Sequence, residues 1–253
     1  MIERKTLDEL EIMREAGRIV AGALAVVKEV VRAGVTTHEI DVAVERFITS
    51  HGAWPSFKGY HGFPASICAS INEEVVHGIP GPRRLREGDI VSVDVGVFYR
   101  NFHGDAAATF PVGAVDAGSR RLIDTCRQGL ERAIEAVRPG ARLWEVSVAV
   151  QRTAEEAGFS VVEQYVGHGI GRQLHEDPQV PNYVVPTFKS GPGRLVLQPG
   201  IVLAIEPMFN AGVKEVYTRA DRWTIVTADG KRSAHFEHTV AVTADGPRVL
   251  TLP

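Results

Sequence analysis

Apolar residues between positions 6 and 52 recur at helical spacing and predict two amphipathic helices. The first opens on a capping box at residues 6–9 and continues through Val31, after which Gly34 is suited to end it. The second opens on a similar box at residues 36–39 and runs to about Gly52. From there to about residue 112 the pattern is typical of strands.

The same order of elements then returns. Helical spacing resumes from about Ser119 to Val137 and from Leu143 to Gly158, and strand-like sequence fills most of the remainder. Residues 31–52 read VRAGVTTHEIDVAVERFITSHG, and residues 137–158 read VRPGARLWEVSVAVQRTAEEAG. The residues that recur at this offset are Val31, Arg32, Gly34, Glu39, Val42, Ala43, Val44, Arg46 and Gly52. We therefore expect one domain over residues 1–253, with duplicated halves of about 1–115 and 116–253.

Four carboxylates and one imidazole lie in or beside the predicted buried strands. They are Asp94, Asp105, His168, Glu206 and Glu237. Carboxylates are seldom fully buried unless they are paired or bind a metal, and no Lys or Arg occurs in these strand cores to pair with them. A single such carboxylate could simply face solvent, but four of them with one imidazole favour a site for two divalent cations.

The spacing of the first two carboxylates sharpens that hypothesis. Asp94 and Asp105 flank a short apolar hairpin whose turn centres near Tyr99 and Arg100, so a symmetric turn would set them directly opposite each other. Like charges in that position are destabilising unless a cation or a shared proton neutralises them. In the duplicated half, residues 200–206 align with residues 88–94, so Glu206 is the counterpart of Asp94.

Composition bounds the class of protein. Hydrophobic residues make up 44% of the chain and charged residues 23%, and the net charge of −3 gives no case for binding nucleic acid or an anionic membrane. Two cysteines, Cys68 and Cys126, provide no disulfide framework. With no long apolar run and no signal-peptide pattern at the N-terminus, we expect a cytoplasmic protein.

Three histidines occur in turns flanked by glycine. His168 stands among glycines 167, 169 and 171, which exclude a stable helix and let the backbone approach a ligand closely. His77 and His175 stand next to Gly78 and shortly after Gly171, respectively. Taken singly, each could be a hydrogen-bonded loop histidine, and their interest comes from their combination with the four carboxylates.

At this point the chain resembles the type I methionine aminopeptidases. Residues 165–183, YVGHGIGRQLHEDPQVPNY, match the histidine signature of that family, and residues 66–81, SICASINEEVVHGIPG, match another of its motifs. The hairpin from Asp94 to Asp105 and the segments at 205–208 and 237–239 also match in order and spacing. The resemblance covers nearly the whole chain. It implies an α+β pita-bread (creatinase/aminopeptidase) fold, with two pseudo-symmetric halves of helices packed on antiparallel sheet.

The resemblance also implies a set of metal ligands and a reaction. Asp94 would bind one divalent ion, His168 and Glu206 the other, and Asp105 and Glu237 both. Cobalt, manganese and iron suit such donors, and the sequence does not choose among them. A hydroxide between the ions would attack the first peptide carbonyl of the substrate.

Further catalytic and binding roles follow from the same resemblance. His175 would polarise the scissile carbonyl, His77 would contact the peptide nitrogen, and Glu206 would also carry protons to the leaving amine. The methionine pocket would comprise, besides the two histidines, the residues Tyr60, Phe63, Cys68, Leu174 and Trp223. Leu174 stands where bacterial relatives often have Phe, and Phe57 stands where a small Cys is common, so we expect altered packing in this pocket.

Three alternatives remain at this stage. Xaa-Pro aminopeptidases and dipeptidases have a similar site on the same fold, but they usually carry a separate N-terminal domain, which we do not expect here. Type II methionine aminopeptidases carry a helical insert, for which the 38 residues from His168 to Glu206 leave no room. A metal-free peptide-binding module of the same fold would be favoured by loss of a ligand, and all five ligands are present.

The resemblance implies partners as well. We expect the chain to act on the N-termini of nascent polypeptides and to contact the ribosome transiently through the surface of its own domain. Because no interface pattern is evident in the sequence, we expect a monomer that binds neither nucleic acid nor membrane directly.

Overall fold

The helices of the computed structural model, which describes residues 2–253, follow the predicted order closely. They are α1 (Leu7–Val30), α2 (Thr37–Ser50), α3 (Ala117–Glu135), α4 (Leu143–Glu156) and the short α5 (Pro186–Ser190), with 3-10 turns at Tyr60–Gly62 and Pro192–Arg194. Within residues 2–253 no helix is both long enough and apolar enough to cross a membrane.

Both capping boxes predicted for the first pair of helices are confirmed. The hydroxyls of Thr6 and Thr36 accept hydrogen bonds from the backbone N–H of the third helical residue, and the glutamate at that position accepts a hydrogen bond from the backbone N–H of the cap residue. The predicted end of α1 is wrong. The C-cap is Val31 rather than Gly34, because the backbone N–H of Gly34 has turned away to donate to Leu85.

Within residues 2–253, fifteen strands form four antiparallel sheets. The strands are β1 (Trp54–Pro55), β2 (Cys68–Ile71), β3 (Glu74–Val76), β4 (Ile90–Tyr99), β5 (Phe102–Pro111), β6 (Ser160–Val161), β7 (Gly167–Gly169), β8 (Glu176–Val180), β9 (Val202–Ile205), β10 (Met208–Asn210), β11 (Val216–Thr218), β12 (Ile225–Thr227), β13 (Ser233–His235), β14 (His238–Thr243) and β15 (Gly246–Val249). The two sheets that carry the predicted ligands have the orders β1-β4-β2, with β5 on β4, and β15-β14-β9-β7-β8.

These two sheets are joined along β5 and the start of β14. The backbones of Ala107 and Glu237 exchange two hydrogen bonds, of 2.9 and 3.3 Å. The hydroxyl of Thr239 both accepts from the N–H of Asp105 and donates to its carbonyl oxygen. Strands from the two ends of the chain are therefore held side by side at the predicted site.

Each pair of long helices covers one sheet with its own hydrophobic core. Residues of α1 and α2, such as Val20 and Ile40, pack against the β4–β5 hairpin. Residues of α3 and α4, such as Leu130 and Val146, pack against β9 and β14. Because both cores lie behind strands that bear carboxylates, burial of apolar surface fixes the position of those strands.

Matched glycines in the two halves share an unusual backbone conformation. Gly34 and Gly140 have φ of +89° and +88°, and Gly52 and Gly158 have φ of +69° and +75°. Glycine adopts this left-handed conformation at little energetic cost, so the same turn in both halves favours glycine at the matched positions. The agreement is what an internal duplication would produce, and the boundary between residues 115 and 116 stays a prediction.

The expected register of the β4–β5 hairpin is wrong, because the turn lies one residue later than predicted and Asp94 pairs with Ala107, two positions beyond Asp105. The turn centres on Arg100 and Asn101, which have φ of +48° and +67°, so Tyr99 pairs with Phe102. Both turn residues therefore have the left-handed φ of a tight two-residue hairpin turn. Asp94 and Asp105 consequently lie diagonally across the ladder rather than directly opposite.

Candidate metal centre

One pocket brings together all the residues predicted for the site. It is lined by Phe57, Tyr60, Phe63, Cys68, His77, Asp94, Asp105, His168, Leu174, His175, Glu206, Trp223 and Glu237. These residues come from widely separated parts of the chain, so the pocket is a product of the tertiary fold rather than of any one motif.

The first pair of carboxylates projects from the β4–β5 hairpin. Asp94 pairs with Ala107 and Asp105 pairs with Gly96, which puts both side chains on the same face of the sheet as diagonal neighbours. Cys68 of β2 lies opposite Asp94 on its other side. The hairpin thus presents two acidic groups and a thiol to the pocket.

The other three residues project from the second sheet. His168 of β7 pairs with Ala204 of β9, and Glu206 and Glu237 lie at the adjoining ends of β9 and β14. The His168 Nε2 atom lies 3.6 Å from a carboxylate oxygen of Glu206. Its Nδ1 lies 2.8 Å from the carbonyl oxygen of Gly169. Donation of the Nδ1 proton to that carbonyl leaves Nε2 as the free lone pair.

The donor atoms present fit divalent cations. Ligand atoms of Asp105, His168 and Glu237 all lie within 4.8 Å of one another. Among the residues described, Asp94 Oδ1, Asp105 Oδ1 and Glu237 Oε1 are buried with no hydrogen-bond partner. Buried oxygens without partners are costly, and a cation would satisfy all three. Carboxylates with one imidazole are donors that manganese, iron and cobalt accept.

The electrostatics of the cluster point the same way. Burial raises the pKa of the Asp94, Asp105, Glu206 and Glu237 carboxyl groups. Repulsion between neighbouring carboxylates raises the pKa further for all of them but Asp94. Burial also lowers the pKa of His168 to about 3. The imidazole is therefore neutral at physiological pH, the form that binds metals.

One residue of this centre was missed by the sequence analysis. His235 is buried, and its Nε2 lies 3.9 Å from oxygens of both Glu206 and Glu237 without a hydrogen bond. It precedes Glu237 by two positions, so the strand period puts both side chains on one face. That spacing in AHFEHTVAV was the signal that could have revealed it.

Two further histidines lie beside the carboxylate cluster. The ring centroids of His175 and His168 are 4.2 Å apart, and Nδ1 of His175 lies 2.8 Å from the hydroxyl oxygen of Tyr60. His77 packs edge-on against Tyr165 with a backbone φ of +60°. Burial lowers the pKa of both imidazoles, to about 4 for His77. Neutral rings in the pocket can each donate one hydrogen bond and accept another.

The remaining wall of the pocket is apolar. Phe63 and Trp223 meet edge to face with ring centroids 5.1 Å apart, and Leu174 is buried in the same cluster. The ring of Phe57 lies where a side chain of residue 96 would project, 2.6 Å from the position of a Cβ there. Gly96 is therefore what allows Phe57 to lie beside the carboxylate pair.

Comparison with known proteins identifies the family of the chain. The sequence model of Metallopeptidase family M24 matches residues 11–244. Methionine aminopeptidase 1 of Bacillus subtilis is 52% identical over 99% of both chains. Methionine aminopeptidase of Clostridium perfringens is 50% identical over 100% of this chain and 99% of the relative.

Solved structures confirm the predicted pita-bread fold. The crystal structure of methionine aminopeptidase from Thermotoga maritima superposes with a TM-score of 0.96 over 100% of both chains, at 47% identity. Prolidase from Pyrococcus furiosus superposes with a TM-score of 0.78 at 25% identity, over 99% of this chain and 65% of the prolidase. The resemblance inferred from the sequence is confirmed, and the chain belongs to the methionine aminopeptidases of metallopeptidase family M24.

Proposed function

We propose that this chain removes the N-terminal methionine from polypeptides whose second residue is small. The observation that carries the proposal is a single pocket in which an apolar wall adjoins five side chains suited to divalent ions. The apolar wall would take the methionine side chain, and the five ligands would bring a hydrolytic centre next to the first peptide bond.

The ligand set divides between two ions in this proposal. Asp94 would hold one divalent ion, His168 and Glu206 the other, and Asp105 and Glu237 would be shared. The presence of four carboxylates and a neutral imidazole balances two divalent charges. Ions bound there would supply Lewis acidity and a water acidic enough to react near neutral pH.

The chain's own groups perform the remaining work. His175 donates a hydrogen bond to the oxygen of the scissile carbonyl, where negative charge develops as the carbonyl is attacked. His77 contacts the peptide nitrogen and orients the substrate. Glu206 accepts the proton that the attacking water loses and delivers it to the amine as it leaves, because an amine is a poor leaving group until it is protonated.

Specificity resides in the apolar wall. Beside the catalytic histidines, the pocket is lined by Tyr60, Phe63, Cys68, Leu174 and Trp223. A methionine side chain can fill such a space at little desolvation cost, because its thioether is only weakly polar. The substrates would be the N-termini of nascent polypeptides in the cytoplasm. A monomer that contacts the ribosome transiently fits that work.

Two alternative functions can be distinguished from methionine removal. An Xaa-Pro peptidase activity would use the same fold, as the likeness to prolidase illustrates. A peptide-binding module would lack turnover. Neither is favoured by an observation on this chain, whose ligand residues are complete and whose similarity to methionine aminopeptidases spans its whole length.

Hydrolysis of three peptides tests the proposal. With manganese or cobalt added, we expect methionine release from Met-Ala-Ser, little from Met-Lys-Ser and no cleavage of Ala-Pro-Ala. Cleavage of Ala-Pro-Ala alone would assign the chain to the Xaa-Pro class, and equal release from both Met peptides would contradict a narrow second subsite. Glu237→Gln, purified identically, should release nothing, which excludes a contaminating peptidase as the source.

A further inference from the structure

The hydroxyl of Tyr60 makes a contact that its place in an apolar pocket does not require. It lies 2.8 Å from Nδ1 of His175, a residue 115 positions away in the sequence, and the two ring centroids are 5.3 Å apart. Tyr60 begins the 3-10 turn Tyr60–Gly62, and His175 ends the loop that leads into β8. The contact therefore joins the methionine pocket to the histidine that faces the reacting carbonyl in the proposed function.

The chemistry of the two groups sets the direction of this hydrogen bond. A neutral imidazole has one N–H donor and one bare nitrogen acceptor. The phenol is the more acidic donor and the imidazole nitrogen the more basic acceptor, so the favourable arrangement has the tyrosine donating. Among residues 2–253, the Tyr60 hydroxyl has no other hydrogen-bond partner to receive its proton.

The same direction leaves the other nitrogen of His175 free to act. Its Nε2 makes no hydrogen bond with any residue that the structure describes, and the side chain lines the pocket. If Nδ1 accepts from Tyr60, the single proton of the neutral ring must reside on Nε2. A protonated Nε2 is a donor, which is what a developing oxyanion needs.

We propose that Tyr60 is a positioning residue, whose hydroxyl holds His175 in the tautomer that donates from Nε2. This inference rests on the proposed function and deepens it, because it gives Tyr60 a part in catalysis beyond lining the methionine pocket. The phenol acts through the imidazole and need not touch the reacting atoms.

Hydrogen bonds hold the segments that carry both partners. On the Tyr60 side, the backbone N–H of Tyr60 donates to the carbonyl oxygen of Phe57, 2.9 Å away. On the His175 side, Glu176 accepts from the N–H of Gln173 and from the buried ammonium of Lys5. The hydrogen bond is therefore preorganised, since neither loop must be ordered when substrate arrives.

Nuclear magnetic resonance of metal-free protein labelled with ¹⁵N in its histidine rings tests the tautomer directly. His175→Gln assigns the signals of His175. Near neutral pH we expect the proton on Nε2 and a hydrogen-bonded, unprotonated Nδ1. In Tyr60→Phe, the Nδ1 signal should move towards that of a free acceptor. Tyr217→Phe, which removes a hydroxyl from an exposed tyrosine outside the pocket, should leave it unchanged.

Two results would overturn the proposal. A proton on Nδ1 in the unmodified chain would show that Tyr60 accepts rather than donates. An unchanged Nδ1 signal in Tyr60→Phe would show that the hydroxyl does not bond to the ring in solution.

Kinetics separate positioning from packing. Tyr60→Phe keeps the ring in the pocket, so KM for Met-Ala-Ser should hold while kcat falls roughly tenfold, as expected for one lost hydrogen bond. A raised KM with full kcat would show that the residue only packs against methionine. If the unmodified chain released no methionine, the proposed function would fail, whereas the resonance result would still decide the tautomer.

Discussion

At the scale of single residues, the buried carboxylates of the pocket lower the stability of the metal-free protein. Three carboxylate oxygens, on Asp94, Asp105 and Glu237, are buried without a hydrogen bond. Each such group costs about 1–3 kcal/mol of folding free energy, and repulsion between the carboxylates adds to that cost. A cation bound to these oxygens would offset this loss of folding free energy at the site itself.

Replacing Asp105 by Asn should therefore stabilise the metal-free protein while removing its response to metal. We expect the free energy of unfolding without metal to rise by about 1 kcal/mol, since a carboxyl group whose ionisation is opposed by burial and by its acidic neighbours is replaced by a neutral amide. Added manganese or cobalt should then raise Tm in the unmodified chain but not in Asp105→Asn, and turnover should disappear. Thermal unfolding with and without metal measures both effects.

The matched control is Asp245→Asn, which alters an exposed carboxylate away from the pocket. Its Tm and its metal response should equal those of the unmodified chain. A metal-free Asp105→Asn protein that is less stable than the unmodified chain would show that this carboxylate is already satisfied by the protein.

Gly96 should matter because Phe57 occupies the space of its missing side chain. A Cβ at this position would lie 2.6 Å from Phe57 Cε1 and 2.8 Å from the Cβ of Ser56, so Gly96→Ala must displace the aromatic ring. We expect a raised KM for methionyl peptides with metal binding retained, measured by steady-state kinetics and calorimetric metal titration.

Gly81→Ala provides the comparison for this substitution, since only Ile79 O, at 3.9 Å, lies near its new Cβ. It should leave KM unchanged. An unaltered KM in Gly96→Ala as well would mean that the ring of Phe57 is not part of the methionine pocket.

At the scale of elements, the loop from Gly171 to His175 is braced by the N-terminal segment. The side chain of Lys5 is only 1% exposed, and its Nζ lies 2.8 Å from a carboxylate oxygen of Glu176. The backbone N–H of Lys5 also donates to Gly200. The loop that carries Leu174 and His175 therefore depends on an ion pair outside the pocket.

Lys5→Met should destabilise the protein by about 1–3 kcal/mol, because it leaves the largely buried Glu176 without its charged partner. Urea denaturation measures the loss. Lys214→Met removes an ion pair of the same length, 2.8 Å, from Glu163, but there the lysine side chain is 50% exposed, so the loss should be near zero. Equal losses in the two variants would contradict the bracing role.

The elements differ in how far the sequence could predict them. The capping boxes of α1 and α2 are local signals, and both helices begin where those signals indicate. The β4–β5 register depends on the conformation of Arg100 and Asn101, which the apolar pattern does not encode, so the predicted turn was one residue early. His235 was not predicted, although its spacing from Glu237 is a local signal, because its contact with Glu206 arises only in the tertiary fold.

At the scale of the whole molecule, the pocket lies where two sheets meet. Asp94 and Asp105 belong to the first sheet, and the other three proposed ligands lie on or beside strands of the second. The repeat at residues 31–52 and 137–158 predicts two related halves. The matched glycines with left-handed φ are consistent with that duplication. The contact between Asp105 and Thr239 that joins them could not be predicted, because no local pattern specifies which strands of two sheets adjoin.

A metal-dependent hydrolytic centre in this pocket is tested by methionine release from Met-Ala-Ser by metal-stripped protein, before and after cobalt or manganese is restored. We expect no release without metal, recovery when metal is returned, and no recovery in Glu237→Gln. Undiminished release by the stripped protein would contradict a metal centre built on these carboxylates. If the protein remains folded and no metal restores release, the pocket would be better explained as that of a peptide-binding module.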